Sequence, residues 1–236
     1  GHTGGTVITN GTLLLSGGVA RLAAVSPITI SGGTLDLGGN SQSNSSSVSF
    51  LGGVVQGGTL IKSGTAYDGR AGTVSATLAG DAGLVKSGSG RLTLSGTNTF
   101  GGGVTINGGT LAVSADGNLG AAGAGLTFDG GVLDTGVNTY ALGSRPVTLL
   151  SGGGIVTNTG SLTVADVISG GGGMTKVGTG TLTLSGENMF SGGVTLNAGT
   201  LAVAADGNLG AATGALTFNG GRLDTGTNSF ALGSRT

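Results

Sequence analysis

The sequence of 236 residues contains no cysteine and no tryptophan, and it has only two prolines and one histidine. Without cysteine the chain can form neither disulfides nor thiolate metal sites. The single histidine, His2, lies in the opening "GHTGG", which we interpret as an appended tag. With no other histidine, the Ser-His-Asp and Cys-His triads of hydrolases are excluded.

Charge is also scarce, since only 8% of the residues are charged and the net charge is −1. Nine scattered basic residues form no patch for nucleic acid or anionic lipid. No apolar run approaches the roughly 20 residues of a membrane helix, and no signal peptide opens the chain. Because "ALGSRT" stops inside a repeat, we expect the sequence to be a fragment of a longer protein.

Glycine is abundant instead, with 56 residues, and 37% of the residues are hydrophobic. The glycines follow no period of three, which excludes collagen. The low charge and the regular spacing of apolar residues argue against disorder. The composition therefore indicates a folded chain with many tight turns.

The chain repeats itself. Residues 83–145 align with residues 173–235 without a gap, with 44 identities in 63 positions at a shift of 90. Fainter copies, Gly4–Leu13 and Ile30–Asn40, match the second unit at a shift of 98. We therefore predict one continuous structure over 1–236, with a degenerate unit at 1–82, a whole unit at 83–172 and a truncated unit at 173–236.

Apolar residues alternate with polar ones over three to five residues within each unit, as in "LTL" at Leu92–Leu94 and "VTI" at Val104–Ile106. This period of two predicts short, half-buried strands, and the Gly-Gly and Asn-Gly pairs between them predict turns. Two all-β architectures fit. Asn107-Gly108 could close a hairpin of a meander or propeller. Alternatively, each strand stacks on its counterpart one coil away in a β-solenoid.

A longer phrase distinguishes these alternatives. "GLVKSGSGRLTLSGTNTFGGGVTINGGTLAV" (Gly83–Val113) and its copy at Gly173–Val203 resemble the autotransporter-associated β-strand repeat of type V secretion passengers. The resemblance implies a right-handed parallel β-helix, for which we expect about ten coils of 22 to 23 residues. It also implies a bacterial cell-surface or secreted location, and a C-terminal outer-membrane β-barrel elsewhere in the full-length protein.

The acidic residues offer the best candidates for a site. Asp116 and Asp206 occur in "ADGNLG", and Asp134 and Asp224 in "LDTG". An Asp-Gly-Asn can supply oxygen ligands to calcium, but neither motif provides the several carboxylates that such a site requires. We expect each Asp to bond its own turn backbone. The sequence therefore assigns no catalytic, cofactor-binding or metal-binding residue.

Other recurring residues have structural interpretations. Lys86 and Lys176, and Arg145 and Arg235, hold fixed repeat positions, which predicts a structural pairing or a turn role. The outward threonines either form a hydroxyl array for ice or glycan, or simply favour strands. The polar run Ser41–Ser47 predicts a projecting loop. These outward threonines are Thr93, Thr105 and Thr127 and their copies. The recurring aromatic residues are predicted to pack in the core or in turns; they are Phe100/Phe190, Phe128/Phe218 and Tyr140/Phe230.

Three functions remain open. The first is a structural stalk that assists export and display of a passenger. The second is an adhesin surface for host cells, glycans or neighbouring bacteria, including self-association. The third, a carbohydrate-active β-helix enzyme, requires clustered carboxylates that ten scattered acids do not suggest. Neither a nucleic acid nor a small-molecule substrate is predicted.

Overall fold

A computed structural model describes residues 4–18 and 21–235. Within these residues the chain forms 28 short strands, and every strand pairing is parallel. The only helical elements there are two 3₁₀ turns, Asp116–Leu119 and Asp206–Leu209. In this described part, no helix has the length and apolar character needed to span a membrane.

The strands of the first half are Thr6–Ile8 (β1), Thr12–Leu14 (β2), Ile28–Ile30 (β3), Thr34–Asp36 (β4), Ser41–Asn44 (β5), Val48–Phe50 (β6), Val54–Gln56 (β7), Thr59–Lys62 (β8), Tyr67–Gly69 (β9), Gly72–Val74 (β10), Thr77–Gly80 (β11), Leu84–Lys86 (β12), Arg91–Leu94 (β13), Val104–Ile106 (β14) and Thr110–Val113 (β15). Those of the second half are Leu126–Phe128 (β16), Val132–Gly136 (β17), Tyr140–Leu142 (β18), Val147–Leu149 (β19), Gly154–Asn158 (β20), Ser161–Val164 (β21), Ile168–Ser169 (β22), Met174–Val177 (β23), Thr181–Leu184 (β24), Val194–Leu196 (β25), Thr200–Val203 (β26), Leu216–Phe218 (β27) and Arg222–Asp224 (β28).

These strands line three faces of a solenoid. Face 1 is the sheet β1-β3-β6-β9-β12-β14-β16-β19-β22, and face 2 is the sheet β2-β4-β7-β10-β13-β15-β17-β20-β23-β25-β27. Face 3 consists of two sheets, β5-β8-β11 and β18-β21-β24-β26-β28. The parallel β-solenoid predicted from the sequence is therefore confirmed. The hairpin alternative is wrong, because β14 pairs with β12 and β16 and not with β15.

The number of strands on face 2 gives the number of coils. Its eleven strands make eleven coils, one more than predicted, and ten steps separate Thr12 of β2 from Leu216 of β27. Each coil therefore takes about 20 residues, fewer than expected, because most corners use only two to four residues. At about 4.8 Å per step the column is about 48 Å long.

The apolar residues of the repeated phrase point inward, as the alternation predicts. All twelve aliphatic side chains tested are at most 5% exposed. They are Leu92, Leu94, Val104, Ile106, Leu111 and Val113, with their copies Leu182, Leu184, Val194, Leu196, Leu201 and Val203. Because each strand contributes one or two such residues to a shared interior, the core extends along the whole column.

Sequence repeats do not all return to the same face. The shift of 98 residues carries β1 and β2 onto β14 and β15, which lie on the same two faces five coils further along. The shift of 90 residues carries β12 from face 1 onto β23 on face 2, and β13 from face 2 onto β24 on face 3. The third unit is therefore four coils and one face away from the second.

Candidate functional site

The repeated phrase interrupts the strand ladder once per unit. On face 3 of the second unit, no strand lies between β11 and β18, and the residues Asn98–Phe100 and the first 3₁₀ turn occupy the two intervening coils. Asn98 Oδ1 accepts a hydrogen bond from Leu78 N at 2.8 Å, and Asn98 Nδ2 donates to Asn118 O at 2.6 Å. One buried amide thus links the coil below to the coil above where backbone pairing is incomplete.

Asn118 extends this link. Its Nδ2 donates to Gly96 O at 2.9 Å in the coil below, and its Oδ1 accepts from Ser114 N and Ala115 N at the start of the 3₁₀ turn. The two backbone donors just before the turn are therefore satisfied by a side chain within the turn itself. Sequence reasoning missed both asparagines, although their recurrence in the two units was a usable signal.

An aromatic ring fills the space between the same coils. Phe100 is fully buried between two coils, since Gly101 N donates to Gly80 O in the coil below and Ala121 N in the coil above donates to Phe100 O. A Cβ on Gly120, where φ is +92°, would lie 2.7 Å from the ring of Phe100. Glycine is required there because the ring occupies the volume of any larger side chain.

Arg145 holds the 3₁₀ turn from the following coil. Its guanidinium donates to the carboxylate of Asp116 at 2.9 Å and to the carbonyl oxygens of Leu119 and Ala124, and its side chain is 1% exposed. The expectation that Asp116 bonds its own turn is wrong, because the carboxylate instead pairs with this arginine. The predicted structural pairing of the arginine is confirmed.

The third unit repeats all three arrangements on another face. Asn188 accepts from Ile168 N at 2.8 Å and donates to Asn208 O, and Arg235 donates to Asp206 at 2.6 Å. Phe190 is fully buried in the position of Phe100. These groups lie on face 1, above β22, whereas their copies lie on face 3. Identical interior contacts are therefore made under different outer faces.

All three lysines of the chain, Lys62, Lys86 and Lys176, have fully buried side chains near corners. Lys86 Nζ donates to Ser87 O at 2.7 Å and to Gly108 O at 3.0 Å, one coil further along. Lys176 Nζ donates to Val177 O and Gly178 O, each at 2.8 Å. The predicted turn role is confirmed, and among the described residues no carboxylate lies within ion-pair distance of these ammonium groups.

Burial without a countercharge lowers the pKa of Lys176 from 10.5 to about 8. Between pH 8 and pH 10.5, Lys176 holds its proton more fully in the unfolded chain than in the folded chain. The free energy of unfolding therefore rises with pH across this window. We expect a rise of the order of 1 kcal/mol between pH 8 and the ordinary tyrosine pKa of about 10, since partial solvation of the corner screens the effect. Chemical unfolding at several pH values measures it.

The matched variant is Lys176→Met, which should flatten this pH slope. Burial lowers the pKa of Lys62 and of Lys86 too, so part of the slope should remain. The series stops near pH 10 because burial raises the pKa values of Tyr67 and Tyr140, which reverses the trend at higher pH. An unchanged slope in the variant would contradict the assignment.

Asp134 and Asp224 behave as predicted, since each accepts a hydrogen bond from its own turn, from Gly136 N and Gly226 N respectively. Each also lines one of two repeat-related shallow grooves. In the second unit Arg91 forms an ion pair with Asp134 at 2.6 Å. The two residues lie two coils apart, and the strand with Ala112 lies in the coil between them. The carboxylate of each groove is therefore already engaged by neighbouring groups of the chain.

The outward threonines do not form one array. Thr105 and Thr127 stack with Thr148 on face 1, whereas Thr93 lies on face 2 beside Ala112. The copies Thr195 and Thr217 stack with Thr175 on face 2, so each column is only three threonines high. Their interpretation as strand-favouring residues on the solvent side fits this arrangement better than the hydroxyl array does.

The aromatic predictions are mostly confirmed. Phe100, Phe190 and Phe128 are buried, and Tyr140 and Phe230 pack partly buried against the core. Phe218 is 50% exposed, contrary to the prediction. It lies on β27 in the eleventh coil, and no further described coil covers it.

The polar run Ser41–Ser47 is not a projecting loop, so that prediction is wrong. Its first four residues form β5, with Gln42 and Asn44 buried. Gln42 accepts from Leu22 N at 2.8 Å and donates to Leu22 O at 3.1 Å, and Asn44 Nδ2 donates to Ser26 O at 2.8 Å. Side-chain amides can face the interior here because the coil below supplies their hydrogen-bond partners.

No group of three or more His, Asp or Glu side chains that could hold a metal ion occurs in the described residues. His2 lies outside those residues. The arrangement that the structure does show is a set of buried polar links between coils, made by Asn98, Asn118 and Arg145 and by their copies.

Comparisons with known proteins agree with this picture. Residues 1–15, 84–113 and 174–203 match the passenger-associated-transport-repeat family. Over 149 residues, 63% of the chain, the sequence is 34% identical to the adhesin BmaC autotransporter of Brucella suis biovar 1 (strain 1330). The matched region covers 4% of that relative's length. No solved structure matches the chain.

The matched repeats contain part of these links, since 84–113 runs from β12 through Asn98 and Phe100 to β15, and 174–203 from β23 to β26, whereas Asn118 and Arg145 lie outside them. Three segments of the chain thus carry the passenger-associated transport repeat, and the chain is similar over 149 residues to part of an autotransporter adhesin.

Proposed function

We propose that this chain is a structural stalk segment of a surface-displayed or secreted bacterial autotransporter passenger, and that it assists export and display and catalyses no reaction. One observation carries the proposal. The 90-residue repeat preserves the interior links of Asn98, Phe100 and Arg145 while it moves the corresponding outer residues to another face. A repeat selected for binding one ligand would keep its outer surface in one direction.

The physics of a solenoid supports the export role. Each coil buries its apolar row against its neighbours, so stability accumulates coil by coil as the chain emerges. With 8% charged residues and no cysteine, the chain crosses a narrow passage without strong charge repulsion or cross-links. The partner that we propose for export is a C-terminal outer-membrane barrel of the same full-length protein.

A deletion in the full-length passenger tests the proposal. Removing residues 84–173 joins Gly83 to Met174, so the third unit takes the place of the second and β23 follows β11 in the position of β12. We expect this passenger to be exported and displayed, with a stalk about four coils shorter. Surface labelling of an N-terminal epitope and its protease accessibility measure display.

The control removes one residue more, 84–174, which joins Gly83 to Thr175 and turns Thr175 and Val177 inward in place of Met174 and Lys176. We expect display to fall strongly. Equal display of both deletions would contradict a stacking role. The adhesin alternative, which the name of the similar Brucella protein suggests, predicts instead that the in-phase deletion is displayed but no longer binds cells.

A further inference from the structure

Asparagine followed by glycine occurs three times, at Asn10–Gly11, Asn107–Gly108 and Asn219–Gly220. All three asparagines are exposed and lie at the corners that follow β1, β14 and β27. Glycine has no Cβ to hinder approach, so its backbone nitrogen can reach the side-chain carbonyl carbon of the preceding asparagine. That approach is the first step of deamidation.

The three glycine nitrogens differ in their hydrogen bonds. Gly11 N donates to Asn10 Oδ1 at 2.8 Å, and Gly220 N donates to Leu196 O at 3.2 Å. The amide of Asn219 is also held, because its Nδ2 donates to Asn197 Oδ1 at 2.9 Å. Among the hydrogen bonds of the described residues, Gly108 N donates none and the side chain of Asn107 makes none.

We propose that Asn107 is a site of spontaneous deamidation. Gly108 N, after losing its proton to base, attacks Asn107 Cγ, and the side-chain nitrogen leaves as ammonia. The resulting succinimide takes up one water molecule and opens at either carbonyl, which gives aspartate or isoaspartate. No oxidant, reductant or enzyme enters the reaction, and base accelerates it.

The modification has structural consequences at this corner. Asn107 N donates to Lys86 O, and Asp129 N donates to Ile106 O, so a carboxylate at position 107 lies beneath that of Asp129 in the stack. Like charges in adjacent strands destabilise their pairing. Isoaspartate also lengthens the backbone beside Gly109, whose Cα position leaves no room for a Cβ between Lys86 Nζ and Gly90 O. Both products therefore loosen the sixth coil.

The folded chain is incubated in neutral and in mildly alkaline buffer. Peptide mass spectrometry follows the deamidation of Asn10, Asn107 and Asn219, and of Asn197 as a comparison. Isoaspartate is quantified with an isoaspartyl methyltransferase. We expect Asn107 to deamidate at least several-fold faster than Asn10 and Asn219, and faster in alkaline buffer. Asn197–Ala198, the repeat-equivalent of Asn107–Gly108, should remain nearly unmodified because the Ala198 side chain hinders the attack.

Two controls separate structure from sequence. In denaturant, the three Asn-Gly pairs should react at similar rates, since their hydrogen bonds are lost. Gly108→Ala should suppress the reaction at Asn107 without disturbing the fold, because the added Cβ meets only backbone atoms of Gly88, the nearer at 3.4 Å, and the third unit already has alanine there. Equal rates at the three sites in the folded chain, or an unaffected rate in the alanine variant, would overturn the proposal.

Discussion

Replacing Leu94 by aspartate should unfold the middle of the solenoid. Leu94 is fully buried, between Val74 in the coil below and Val113 in the coil above. Truncating such a leucine to alanine costs about 2–5 kcal/mol. An unpaired carboxylate in the same place adds its desolvation, so Leu94→Asp should cost more. Hydrogen exchange should show the loss concentrated in the fourth to sixth coils, because each coil contacts mainly its neighbours.

The matched control is Thr93→Asp, one residue earlier in β13. Thr93 faces outward beside Ala112, where water can solvate a carboxylate. We expect a change in the free energy of unfolding within about 0.5 kcal/mol and unaltered export of the passenger. If the threonine variant were the more damaged of the two, the inward assignment of the whole repeated phrase would be wrong.

Replacing Arg145 by methionine should cost about 3 kcal/mol or more. The change keeps much of the apolar stem but removes the donors for the carboxylate of Asp116 and for the carbonyl oxygens of Leu119, Ala124 and Gly120. Losing one partner of a buried ion pair is costly because the other charge stays behind without compensation. Thermal melting, with hydrogen exchange of the sixth and seventh coils, measures the effect.

Arg91→Ala provides the comparison, because Arg91 also pairs with an aspartate but its side chain is 54% exposed. An exposed pair contributes about 0–1 kcal/mol, so this variant should melt close to the wild type. Arg235→Met should resemble Arg145→Met in kind, since Arg235 makes the same contacts on another face. Equal losses for Arg91→Ala and Arg145→Met would contradict the role assigned to the buried pair.

The sequence alone determined the strand class and the inward rows. Alternation has a period of two, so a shift of one residue would bury Thr93 and Thr105 and expose Leu94 and Ile106. That local rule needs no tertiary information, and the buried rows follow it throughout the repeated phrase. The resemblance of Gly83–Val113 to passenger repeats was likewise readable, because the phrase is long.

The partners of the polar residues were decided by the tertiary structure. Asp116 meets Arg145 across 29 residues, and Lys86 reaches Gly108 across 22, because stacking brings neighbouring coils together, and such separations leave no local pattern. Gln42 and Asn44 entered the interior because the coil below offers them backbone groups. A polar run therefore predicts exposure only where no such partners exist.

The face on which each repeat lies was also decided only by the fold. Which face a strand reaches depends on the summed length of all strands and corners before it, and one or two residues per corner change that sum. The shift of 98 residues completes five coils, whereas the shift of 90 ends one face beyond four coils. Local physics sets which side of a strand is buried, but the direction in which its other side points is a property of the whole column.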